Sequence, residues 1–259
     1  MTAYPLKTNT TGTREPRFLE PGGHTAYGGI LPYRLEKIAS HGILHGDWLD
    51  CGCAEGYYTK ALIEYGANRA VGVDAIEGPV SRAESEPHTA SVSFLCAKAE
   101  ALPFPSDSFD GALLNEVLEH VTDEGRTLAE LARVLRPGGH LAVFSPNRWF
   151  PFEGHGLRIS AARSFGHPVP FMPWLPGRLT RRFATARNYW PSELVQLVSG
   201  AGFEIIEAGW ALPQFEVYPW MPARAIRRFR SAIPRLERSP VARFVAVSTF
   251  ILARVTEGR

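Results

Sequence analysis

The sequence predicts an α/β domain whose mostly parallel sheet is covered by helices on both faces, and three observations predict it. Short apolar runs alternate with helical-period segments along most of the chain. The first run, Trp48-Leu49-Asp50-Cys51, turns through Gly52-Cys53-Ala54-Glu55-Gly56 into the amphipathic stretch TKALIEYG, and the second, AVGV, ends in an acid, Asp74-Ala75-Ile76. A chain of 259 residues with a 45% apolar fraction suits one such domain with room for insertions.

Taken in order, Ile30 to Ser40 reads as a lead-in helix stopped by Gly42. Strands follow near 47–51, 70–73, 92–96, 110–114 and 140–145. A helix from Asp123 to Leu135 separates the fourth from the fifth. Leu128, Leu131 and Leu135 give it one apolar face, Thr122 is its expected cap, and Pro137-Gly138-Gly139 its expected stop. Beyond Asn147 the periodicity fails. Residues 148–190 are rich in Pro, Gly, aromatic side chains and arginine. A loop this long within a domain is functional or disordered, and its aromatic content argues against disorder. Pro191 opens a further helix, SELVQLVSG, with Gly202 past its end, and Phe203 to Ala208 forms a sixth strand.

Residues 212–240 read as a second irregular insert containing the basic segment ARAIRRFRSAIPRLER. Within it Ile226, Phe229 and Ile233 fall three and four apart, a short amphipathic stretch expected to pack on its own sheet. Arg243 to Val255 closes the sheet as a seventh strand. The expected organisation is thus a single domain over 1–259. Residues 1–43 form a lead-in and site cover, 44–147 a cofactor-binding core, and 148–190 and 212–240 lid inserts over a substrate site.

The loop after the first strand carries the chemistry. Small residues at Gly52, Ala54 and Gly56 let a ligand lie against bare backbone, and the following helix N-terminus offers unpaired N–H groups. A carboxylate at the tip of the second strand, Asp74, is placed for a ribose diol. Such a site suits a nucleoside cofactor. A NAD-type reading needs G-x-G-x-x-G, whose final spacing is absent, and it leaves LPFPSDSFD and LEHV unexplained.

Four blocks resemble class I S-adenosylmethionine-dependent methyltransferases of the ubiquinone and menaquinone biosynthesis type: LDCGCAEG, VGVDAI, KAEALPFPSDSFDGALLNEVLEHV and LRPGGHLAVFSPN. They occur in the right order over roughly residues 45 to 147. The resemblance implies a Rossmann-like seven-stranded sheet whose last strand is antiparallel, and S-adenosylmethionine as cofactor. Asp50 and the backbone of Gly52, Cys53, Ala54, Glu55 and Gly56 would hold the methionine portion. Asp74 would take the ribose hydroxyls, with Ala75 and Ile76 lining the adenine and Ala99 and Glu100 at its edge. Asn115, Glu116 and Val117 would face the cofactor, and Tyr27 and Arg34 would close over its methionine end. Two positions depart from the family pattern: Ala54 replaces a glycine, and Lys98 stands where relatives carry an aspartate that accepts from the adenine amino group. Lysine only donates, so Ala99 backbone or the Glu100 carboxylate would take over, or Lys98 would face solvent.

His120, in LEHV, is the candidate general base, since an imidazole of pKa ~6.5 suits proton transfer near neutrality. The resemblance casts Tyr27 as its partner, and the bland alternative is a histidine that only pins its loop. His155, oriented by Glu153, is the second candidate base, the alternative being an exposed loop histidine. Trp149, Phe150, Glu153, Tyr189 and Trp190 are candidate substrate contacts. Phe152, Phe171, Trp174, Tyr218 and Trp220 extend the aromatic set, part of which is ordinary core. A pocket so lined favours an apolar or aromatic acceptor. The expected activity is methyl transfer, most readily to oxygen, on a quinone-, lipid- or natural-product-type metabolite. The alternatives are a non-catalytic cofactor-binding partner or sensor, and N- or C-methylation of a polar or phosphorylated metabolite.

Charge is unevenly divided. Residues 1–150 carry 13 basic and 19 acidic side chains, net −6; residues 151–259 carry 15 and 7, net +8, and every base in the second part is arginine. This is either a solvated face or a site for a phosphate-bearing substrate or an anionic membrane surface. No nucleic-acid-binding module is recognisable, so no nucleic-acid partner is expected. Cys51, Cys53 and Cys96 form neither a disulfide framework nor a metal cluster, so no metal is expected. The polar N-terminus lacks a leader's apolar core and the late apolar run is too short to span a bilayer, so a cytoplasmic protein is expected.

Overall fold

The computed structural model describes residues 30–153, 157–160, 163–165, 169–176, 179, 186–213 and 222–256. Helix α1 (Ile30–Ala39) leads into strand β1 (Asp47–Cys51), α2 (Tyr57–Glu64), β2 (Arg69–Asp74), α3 (Glu77–Ser85), β3 (Val92–Cys96) and β4 (Phe109–Asn115). Then come α4 (Glu124–Val134) and β5 (Leu135–Pro146). The first insert contains β6 (Phe152–Glu153), β7 (Leu157–Ser160), β8 (Arg163–Phe165), β9 (Val169–Pro170) and a 3-10 turn over Met172–Trp174. After it the chain resumes with α5 (Pro191–Gly200), β10 (Phe203–Ala211), α6 (Ala223–Glu237), α7 (Ala242–Val245) and β11 (Ser248–Val255).

Seven strands form one sheet in the order β10-β11-β5-β4-β1-β2-β3. The pairs among β1 to β5 are parallel, whereas β11 runs antiparallel to both β5 and β10. The order turns at β1 and β4, which pair directly, so the crevice beyond their carboxyl ends is the switch point where α/β sheets place ligands.

Alternation along the strands divides the core in two. Trp48, Leu113, Phe144 and Phe250 face α1, α2 and α6, packing with Leu35, Ile38, Leu62 and Ile233. Leu49, Leu114, Val143 and Ile251 face α4 and α5, packing with Leu128, Leu131, Leu194 and Val198. The largest of these side chains dictates a glycine on its neighbour. A Cβ at Gly111 would lie 2.3 Å from the Trp48 ring, so β4 must be bare where β1 carries indole.

Several boundaries differ from the sequence reading. The α4 cap is Asp123, not Thr122: its side chain accepts from the Arg126 N–H at 2.9 Å. Helix α4 ends at Val134, and Pro137-Gly138-Gly139 lies inside β5 as a bulge, where pairing with β4 jumps from Phe109–Leu135 to Gly111–His140. Arg136 in that bulge is held by Asp110 and Asp47. The seventh strand begins at Ser248 rather than Arg243, because residues 242–245 make the helical turn α7. Strand β10 runs on to Ala211.

The second insert is not irregular throughout, since α6 occupies 15 of its residues. Ile233 is buried and Phe229 packs against the same core, as the amphipathic spacing suggested. The first insert holds two small antiparallel pairs, β6 with β9 and β7 with β8. No described helix is long and apolar enough to cross a membrane.

Candidate active site

The carboxyl ends of β1, β2 and β4 bring the predicted loop residues together. Gly52 and Cys53 both donate to the Val73 carbonyl, at 2.6 and 2.9 Å, which pins the loop after β1 onto β2. Gly52, Ala54 and Gly56 all have positive φ (86°, 44° and 73°), which folds the loop back before α2 starts. At Gly52 close approach matters as much as conformation, for a Cβ there would stand 2.2 Å from Val117 Cγ2 at the end of β4. The loop thus lies directly over that strand. Ala54 holds a left-handed φ with a side chain, at a cost of roughly 1 kcal/mol.

Two carboxylates flank this loop. Asp50 is buried and accepts from Thr59 Oγ1 of α2 at 2.6 Å. Burial, with a smaller contribution from the charge on Asp74, pushes the Asp50 carboxyl up to about 7 despite the Thr59 hydrogen bonds. Asp74 is half-buried; it accepts from Ala54 N–H and Ile76 N–H, each at 2.9 Å. No Lys or Arg pairs with either acid among the described residues. A crevice with two uncompensated carboxylates suits a cationic ligand. Ala75 and Ile76 are exposed beside Asp74, and Tyr57, at the start of α2, is 39% exposed on the same edge. The Cys51 and Cys53 thiols are buried, and burial pushes both up, so they act as small apolar groups.

Beyond β4 lies a buried polar cluster that the sequence reading saw only in part. Arg34 of α1 is buried over the Phe144 ring; it donates to Asn115, to Glu116 Oε1 at 2.6 Å and to Ser248 Oγ at 2.8 Å. Glu116 has a left-handed φ of 57°, and its N–H donates to the Phe144 carbonyl at 2.8 Å. Glu119 is buried and accepts from Ser145 Oγ at 3.1 Å. Burial, then the neighbouring charge of Glu116, raises its carboxyl well above the ordinary value. Arg34 therefore ties α1 to the ends of β4 and β11, and its guanidinium is committed to protein acceptors.

Thr59, Glu119, Ser145 and Ser248 were missed. Glu119 stands in LEHV and was within reach of motif reasoning. The two serines gave no signal, because only the sheet brings β5 and β11 to this edge.

Glu100 stands in the loop that follows β3. Burial alone would raise its carboxyl, but backbone N–H donors at Glu100, Thr122 and Asp123 outweigh that and hold it low. The Thr122 N–H bond is 2.8 Å. Its carboxylate is thus engaged by the loop that carries His120, Lys98 is exposed, and Ala99 packs against the core. His120 is exposed at the rim, with its N–H donating to the Val117 carbonyl at 2.9 Å.

The aromatic set is split. Trp149 stands edge-on to Trp190 with ring centroids 4.8 Å apart and to Phe244 at 5.3 Å. Arg148 covers the Trp190 ring and Arg243 the Trp149 ring. Phe150 lies 5.6 Å from Phe152. Tyr189 is a core residue instead, with its hydroxyl 3.1 Å from both the Leu118 carbonyl and Glu124 Oε1. Glu153 belongs to β6. Tyr27, His155, Tyr218 and Trp220 lie outside the described residues.

Residues 49–143 match the family model described as "Methyltransferase domain". A protein of Mycolicibacterium gilvum named as an uncharacterized methyltransferase is 40% identical over 113 residues, 43% of this chain and 44% of its own length. A ubiquinone biosynthesis O-methyltransferase of Coxiella burnetii is 34% identical over 181 residues, 69% of this chain and 72% of its own. The chain spans about half the length of the first curated relatives it matches. Among solved structures, an S-adenosylmethionine dependent methyltransferase from Mesorhizobium loti shares the fold at TM-score 0.58 and 18% identity, over 86% of this chain and 99% of that one.

Proposed function

Because the chain belongs to the class I S-adenosylmethionine-dependent methyltransferases, we propose that it transfers the cofactor's methyl group to an oxygen of a small hydrophobic acceptor. The observation that carries the reading is the pairing of an uncompensated acidic crevice at β1 and β2 with an aromatic insert rising from the same sheet edge at Trp149. The donor set fits the cofactor, since its positively charged methionine end suits the uncompensated Asp50 and its ribose diol suits the Asp74 carboxylate at the tip of β2.

When bound, S-adenosylmethionine supplies a methyl already activated by positive charge. The loop of Gly52 to Gly56 and Asp50 would hold its methionine end, and Asp74 its ribose hydroxyls. The remaining work is alignment of the acceptor, which can supply roughly 7–11 kcal/mol of the barrier, and removal of its hydroxyl proton. His120 is assigned the proton, being exposed at the rim of β4 rather than locked in the core. Trp149, Phe150 and Trp190 would wall the acceptor and exclude water. The similarity to the Coxiella burnetii protein favours oxygen as the methylated atom and a quinone-type acceptor.

The test uses methyl-labelled cofactor, the purified protein and whole-cell extract, partitioned between organic and aqueous phases. Label in the organic phase is the expected outcome. Label confined to the aqueous phase would overturn the hydrophobic acceptor, and no transfer beside tight cofactor binding would point to a binding partner or sensor.

A further inference from the structure

We propose that the outer face of α6, with the adjoining turn α7, docks on an anionic lipid bilayer. The helix divides cleanly by chemistry. Phe229, Ile233 and Leu236 pack inward, and its single acid, Glu237, also turns inward to Tyr33 and to Lys37 at 3.1 Å. The outward positions Arg224, Arg227, Arg228, Arg230, Arg235 and Arg238 are all exposed. Among the described residues, no ion pair engages Arg224, Arg227, Arg228, Arg235 or Arg238. A face of cations whose helix has turned its own acid inward is complementary to a surface of negative headgroups.

The neighbouring surface supplies what headgroups alone would not need. Within seven residues of Arg238, Val241 is 57%, Phe244 38% and Val245 40% exposed. Arg243 stacks between Trp149 and Phe244, at 5.2 and 4.7 Å from their ring centres. Trp149 in turn accepts, through its carbonyl, from the indole N–H of Trp174, itself 45% exposed beside Leu175. Arginines beside solvent-facing valine, phenylalanine and tryptophan match an interface with phosphate above and hydrocarbon below. A nucleic acid would meet the charges but leave the valines without a partner. The inference does not depend on methyl transfer, because lipid binding is read without turnover.

The test is sedimentation of the full chain with phosphatidylcholine vesicles and with vesicles containing one third phosphatidylglycerol, at low and high salt. Binding is expected only to the anionic vesicles, with release by salt. Arg227→Glu/Arg228→Glu/Arg235→Glu alters exposed positions only, so its thermal midpoint should match the parent while binding falls at least ~100-fold, about five-fold or more per charge. Val241→Ser/Val245→Ser should weaken binding several-fold and leave the remainder wholly salt-sensitive. Failure of the parent to bind anionic vesicles at low salt would overturn the proposal, as would undiminished binding by the charge-reversed protein. Binding to RNA or inorganic phosphate in place of vesicles would also overturn it.

Discussion

At the scale of single residues, Asp50 sets a dependence on pH. An unfolded aspartate ionises near 3.9, whereas burial lifts the folded group to about 7. Between those values the unfolded chain gives up a proton that the folded chain keeps, so stability is full below pH ~4 and is lost as pH rises through ~7. Asp50→Asn, which can still accept from Thr59, should flatten that decline in unfolding midpoints between pH 5 and pH 8. A cationic ligand favours the ionised acid, so affinity for S-adenosylmethionine should rise about tenfold from pH 6 to pH 8, as calorimetry would show, and lose that trend in the variant. For His120→Ala, cofactor affinity should stay within a few-fold while turnover drops at least ~100-fold. Unchanged turnover would remove it as the base. Asp50 and Gly52 were legible in the sequence because they sit in one contiguous motif. The contact between Arg34 and Ser248 was not, since it joins residues 214 apart with no local pattern to announce it.

At the scale of elements, Arg34 is what attaches α1 to the sheet edge. Removing its charge leaves Glu116 beside the buried Glu119 without the guanidinium that holds it. Arg34→Met, which keeps the bulk, should destabilise the fold by about 3–5 kcal/mol, read as a fall of roughly 10 °C in the thermal midpoint. Arg34→Lys keeps the charge but not the fork that reaches three acceptors, and should fall between. Elements with clean periodicity, such as α4 and β4, were readable to within a residue or two. Helix α6 was legible only as a short amphipathic stretch within an irregular insert, because Pro234 and a density of arginine interrupt its apolar stripe, whose extent shows once Ile233 enters the core. The Pro137-Gly138-Gly139 turn was misplaced for a related reason. Its residues suit a helix stop, but the pairing of β5 with β4 absorbs them as a bulge.

At the scale of the whole molecule, the division of charge follows the division of labour. The acidic crevice belongs to the first five strands, while arginine collects on the inserts and the last two, where a different surface is presented. Methyl-donor chemistry and the proposed lipid contact are therefore separable by mutation. A mostly parallel seven-stranded sheet with an antiparallel last strand was implied by the resemblance, yet the strand order is spatial: β11 lies between β5 and β10 rather than at a margin.

That placement bears on how the protein is made. Until β11 is in place, β5 and β10 each face an unfilled position in the sheet, with amides and carbonyls unmatched there. Arg34 also still lacks the Ser248 hydroxyl. Adding β11 therefore does two things at once: it joins β5 to β10, and it brings the Ser248 hydroxyl to Arg34.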